Sequence, residues 1–107
     1  MTLSDFSNPE LVDENVYHLF GPNMILLPST RQDKKYMIYD WLTHKMIHFG
    51  SANHLDYTKY LQITSLEEAN EHRRRYLKRA MNIKGNWKKN PFSPNNLSMS
   101  LLWQDLS

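Results

Sequence analysis

The 107-residue sequence contains no cysteine, which excludes disulfides, thiolate metal sites and cysteine nucleophiles. Its three glycines, Gly21, Gly50 and Gly85, are too few and too scattered for a phosphate-cradling loop or a dinucleotide fingerprint. The frequent serines include no Gly-x-Ser-x-Gly elbow, so they carry no hydrolase motif. No stretch approaches the roughly 20 apolar residues of a membrane span. Met1-Thr2-Leu3-Ser4-Asp5 lacks the basic-then-apolar pattern of a secretory leader, so the chain reads as soluble. With apolar residues at 40% and charged residues at 22%, the composition is that of an ordinary globular protein, and the length allows one small domain. Aromatic residues are 12% of the chain, more than a domain this small hides easily, so burial across an interface is expected for some of them.

The net charge of +2 conceals an asymmetry. Through Ser65 there are five Lys and Arg against seven Asp and Glu; after it there are eight against four. A basic C-terminal half points to an acidic partner surface, either phosphate or carboxylate.

Residues 1–23 mix acids and isolated aromatics with Pro9 and Pro22 and show no sustained periodicity, which reads as an N-terminal arm. Met24–Leu27 is an apolar run closed by Pro28, as at a strand end or edge. Residues 35–41 and 45–49 are rich in aromatic and β-branched residues around a Leu42-Thr43-His44 connection. These segments predict a three-stranded antiparallel meander that ends at Gly50. Ser65 and Glu68 form a capping-box pattern. From there Leu66, Ala69, Arg73, Tyr76, Leu77, Ala80 and Met81 recur at helical spacing, predicting a helix over 66–82 packed on the sheet, with Gly85 as its stop. Asn90–Asn96 is turn-forming, and Leu97–Trp103 reads as a short apolar tail. The expected fold class is therefore α+β: a small meander and one packed amphipathic helix over 24–90, with extended arms at 1–23 and 91–107. Trp41, Phe49, Tyr57, Tyr76 and Trp87 are expected in or near the core.

The strongest functional signal in the residues is Arg73-Arg74-Arg75-Tyr76-Leu77-Lys78-Arg79. On a helix, Arg74 and Lys78 stack at i, i+4, as do Arg75 and Arg79, giving two cationic rows able to grip phosphates. The plainer account is a solvated helix, with acids Glu67, Glu68 and Glu71 at its start and cations at its end as the helix dipole favours. His44 and His48 are four apart, but a turn and a strand do not converge that spacing as a helix does, so no metal site is expected. No motif fixes Asp56 and a histidine as an acid–base pair, so neither catalysis nor a cofactor is expected.

The series Phe49-Gly50, Asp56-Tyr57-Thr58, Arg75-Tyr76-Leu77-Lys78-Arg79, Asn86-Trp87 and Leu101-Leu102-Trp103 resembles a small protein family encoded by nucleocytoplasmic large DNA viruses. The resemblance covers about residues 35–104. Where family members often carry histidines, this chain has Tyr60 and Ala80. The resemblance implies a viral protein, located in the virion capsid and, during assembly, in the host cytoplasm or virus factory. It fits a minor capsid component that assembles with the major capsid protein and other minor capsid proteins. On that reading Arg74, Arg75, Lys78, Arg79, Phe92, Leu101, Leu102 and Trp103 contact partners, and Trp103→Ala weakens assembly by about 2 kcal/mol while sparing the isolated fold. The alternative is a nucleic-acid-binding protein using the basic helix, with Tyr57, Tyr60 and Trp87 as stacking surfaces.

Overall fold

A computed structural model describes residues 2–104. The fold is a small α+β one. Strands β1 (Leu26–Pro28), β2 (Lys34–Asp40) and β3 (Lys45–Ser51) form an antiparallel meander in sequence order. Tyr36 lies opposite Phe49 and Ile38 opposite Ile47. Strand alternation turns Tyr36, Ile38 and Asp40 inward, and all three are buried. The same alternation corrects the expectation for Trp41: its odd position places it outside at the hairpin turn, 52% exposed. Asp40 fixes that turn, accepting from the Leu42 N–H and the Thr43 hydroxyl, both at 2.9 Å.

Residues 9–20 and 94–102 are helical, which corrects the two extended arms; Met1 and residues 105–107 of those arms lie outside the described residues. Helix α1 (Pro9–Phe20) starts at Asn8, whose Oδ1 accepts from the Leu11 N–H, with Pro9 in the first turn. Its Val12 and Val16, one turn apart, are buried. Five further helical segments follow the sheet among the described residues: α2 (Tyr57–Ile63), α3 (Leu66–Met81), a 3-10 turn (Trp87–Lys89), α4 (Pro94–Leu97) and a π-helical turn (Ser98–Leu102) continuing from α4. Leu97, Leu101 and Leu102 are buried in the same core as Val12 and Phe49. Asn15 Nδ2 donates to the Leu101 carbonyl at 2.8 Å, tying the two ends of the chain together. The physical reason both ends were misread is shared: Pro9 and Pro94 open helices, behind Asn8 and Ser93 caps, where a missing N–H costs nothing.

Helix α3 has the expected bounds to within a residue, and Ser65 Oγ caps it by accepting from the Glu68 N–H at 3.1 Å. It ends at Met81 with Asn82 as its cap, before Gly85. Its main packing partner is α2 rather than the sheet, whose β3 is covered chiefly by α4 and the π-helical turn. Gly50 sits at that contact with φ +81, and a Cβ there would lie 2.7 Å from Leu102 Cδ1. Gly50→Ala is therefore expected to cost about 1–3 kcal/mol through strain and overpacking, read as a lower urea midpoint.

A buried polar chain crosses the core. Tyr36 OH donates to Ser7 Oγ at 2.7 Å, and Ser7 and Thr58 hydroxyls meet at 3.3 Å. Thr58 Oγ1 donates to Asp56 Oδ1 at 2.5 Å and accepts from the Asn8 N–H at 2.9 Å. Because a carboxylate only accepts, the donors run in one direction from Tyr36 to Asp56. Asp56 Oδ2 faces Lys35 Nζ at 3.4 Å, both side chains almost fully buried.

Candidate functional site

Where the end of β3, helix α3 and the C-terminal segment meet, they leave an open cleft of about 380 Å³. Three lining cations come from three local causes. Lys35 sits in β2 with its neighbour Tyr36 buried too, and its ammonium is held by Asp56 and by the His54 carbonyl. Burial pushes the Lys35 pKa down, against the opposing pull of Asp56. Arg75 and Arg79 stand one turn apart on α3, both exposed. His54 and His72 add two titratable rings to the lining, and among the described residues no aspartate or glutamate lines it.

The remaining wall is aromatic. Tyr60 and His72 stack in parallel with centroids 3.9 Å apart, and Tyr76 and Trp103 stack at 4.2 Å. Tyr60 and Trp103 join the two pairs at 6.1 Å. Burial pushes the Tyr76 phenol up from its ordinary value, so it remains a neutral hydroxyl. The cleft thus places aromatic rings beside positive charge, a combination that suits a planar anion.

The structure separates the expected contact residues into two groups. Arg75 and Arg79 line the cleft, while Arg74 and Lys78 are exposed on α3 beside them. Arg74 is bound to Glu71 at 2.7 Å, and Arg75 meets the same carboxylate at 3.2 Å. Hydrogen bonding from Arg74, ahead of the charge effects of both arginines, pulls the Glu71 pKa down to about 2. Lys78 and Arg79 make no ion pair among the described residues. Phe92, Leu101, Leu102 and Trp103 form the second group and are turned inward, which corrects their assignment to a partner. Phe92 stacks on Phe20 at 5.4 Å; Leu101, Leu102 and Trp103 are at most 8% exposed. They are inward because the π-helical turn brings the Leu-Leu-Trp end back against α1 and β3. Arg73 latches that end down, its Nε donating to the Trp103 carbonyl at 2.7 Å while its guanidinium lies over Tyr57.

Of the expected stacking residues, Tyr57 is buried, Tyr60 lines the cleft, and Trp87 is half-buried under the Lys88 ammonium. The sequence does not mark Lys35, and it offers His54 and His72 only among five histidines weighed and set aside as metal ligands. Lys35 gains its place through Asp56, 21 residues away, and no local pattern signals such a pair. Among the described residues no three His, Asp or Glu side chains group as a metal site, and no helix is long and apolar enough to cross a membrane.

A model of a family of unknown function (DUF5754) matches residues 24–60, the span from the start of the sheet into α2. No curated protein and no solved structure matches the chain.

Proposed function

We propose that this protein is a nucleic-acid-binding module rather than an enzyme, with the cleft and the basic end of α3 as its contact surface. The observation that carries the reading is the convergence of Arg75 and Arg79 with four stacked rings in a cleft that no described carboxylate lines. Exposed Lys78 in the last turn of α3, and Lys84, Lys88 and Lys89 in the segment that follows it, add further positive charge for a phosphate backbone. Glu71 works against this surface by occupying Arg74 and Arg75.

Two substitutions test it. Arg79→Glu, at an exposed position, is expected to lower oligonucleotide affinity about tenfold at moderate salt while leaving the melting temperature unchanged. Glu71→Gln is expected to raise affinity and to steepen the dependence on salt by about one phosphate contact. Unchanged affinity in both variants by fluorescence anisotropy contradicts the reading.

A minor capsid role, with the major capsid protein as partner, is a second proposal. It rests on the resemblance and on the apolar hairpin end, where Trp41 and Leu42 are 52% and 84% exposed. The extended arms that favoured it are folded, so its support is the thinner of the two. Copy number in stripped virions tests it: hundreds of copies leaving with the shell support it, and absence from the shell rejects it.

A further inference from the structure

Resting on the nucleic-acid reading, we infer that the cleft holds one unpaired nucleotide, so that the protein selects single strands over duplex. The volume of about 380 Å³ lies at the low end of the roughly 300–1,000 Å³ typical of ligand sites, enough for one nucleotide-sized group. Its aromatic wall is continuous, from His72 through Tyr60 and Trp103 to Tyr76. A base inside a duplex has both faces covered by its neighbours, and only an unpaired base can offer one to such a wall. The cations complete the complementarity. Arg75 and Arg79 stand one turn apart in the lining beside Tyr76, where a phosphate attached to a stacked base would reach them. Lys35 lies deeper, its charge balanced by Asp56 and its ammonium held by the His54 carbonyl, so the charge offered to a phosphate is that of the two arginines.

The surface beyond the cleft accounts for strand continuation. Lys78, Lys84, Lys88 and Lys89 are exposed, with no acidic residue between them along the chain. Contacts of that kind act on any phosphate backbone and give no preference for single strands. The preference is therefore assigned to the rings, and the general affinity to the lysines.

The test uses the full chain with a thymidine single strand of about 12 nucleotides, a blunt duplex of the same length and a free thymidine monophosphate, all near 50 mM salt. Trp41→Phe and Trp87→Phe together leave Trp103 as the only indole, and that residue lines the cleft. The single strand is expected to bind at least tenfold more tightly than the duplex and to change Trp103 emission. His72→Ala, at a half-buried position, is expected to lower single-strand affinity several-fold more than duplex affinity and so to remove most of the preference; Tyr60→Leu is the second variant, and circular dichroism confirms that each is folded. Equal binding of strand and duplex with unchanged Trp103 emission overturns this inference and leaves the nucleic-acid reading standing. Binding of the monophosphate with no affinity for either polymer overturns both, as does the absence of any binding.

Discussion

Asp56→Ala is expected to destabilise the domain by about 3–5 kcal/mol, the cost of leaving a buried charge without its partner. The removed carboxylate has three tasks. It faces the Lys35 ammonium at 3.4 Å, takes the Thr58 hydroxyl proton at 2.5 Å, and caps α2 by accepting from the Lys59 N–H at 3.1 Å. With Lys35 only 4% exposed, its ammonium regains little hydration when the carboxylate is removed. Small domains have total stabilities of roughly 5–15 kcal/mol, so a large part of the margin is lost. The pair itself is a poor source of net stability, because both ions were desolvated to make it. Lys35→Met combined with Asp56→Asn is therefore expected to be clearly more stable than Asp56→Ala, a non-additivity that urea titration of the single and double variants measures. If Asp56→Ala unfolds at the wild-type urea midpoint, Lys35 has another route to solvent and the network has been misassigned.

Trp103→Ala is expected to cost about 3–5 kcal/mol in the isolated chain, the range for removing a buried indole. At about 4–8 °C per kcal/mol for a domain of this size, the melting temperature falls by more than about 12 °C. The ring is 8% exposed, lies parallel to Tyr76 and borders Tyr60. Its backbone carbonyl, which accepts from Arg73, survives the substitution, so the loss reports the ring and not the latch. This reverses the expectation drawn from the tail as an interface segment, under which the isolated fold tolerates the change. An unchanged melting curve restores the interface account. Because Trp103 also lines the cleft, this variant belongs to the study of stability, and binding is better dissected with His72 and Arg79.

What was legible in the sequence is what local pattern controls. The density of aromatic and β-branched residues in 35–41 and 45–49 marked the hairpin, and Ser65 with the 3.6-residue spacing after it marked α3. The prolines were misleading because they serve opposite ends of local structure. Pro28 closes a strand, whereas Pro9 and Pro94 begin helices, and the distinguishing sign is the capping Asn8 or Ser93 directly before them. Helix α2 carried the same kind of sign in Asp56, which its Tyr57-Thr58 neighbours obscured by resembling a turn. Only half of the cleft was readable. Arg75 and Arg79 followed from helical spacing, but Lys35, His72 and Trp103 meet through folding of the C-terminal segment onto β3. Aromatic content showed that rings were in excess for a small core; it did not show that the tail would bring its own ring inward.

The binding account rests on phosphate contacts at a defined basic surface, and its most direct test is the affinity of the wild-type chain for a single-stranded oligonucleotide as salt is raised. Three to five contacts, the number expected from the cleft cations and the lysines beyond α3, predict a log–log slope of roughly −2 to −3.5 at about 0.7 per phosphate on a single strand. A linear fall with that slope, reduced by about one contact in Arg79→Glu, is the expected result. No binding at about 50 mM salt, or an affinity indifferent to salt, contradicts the account.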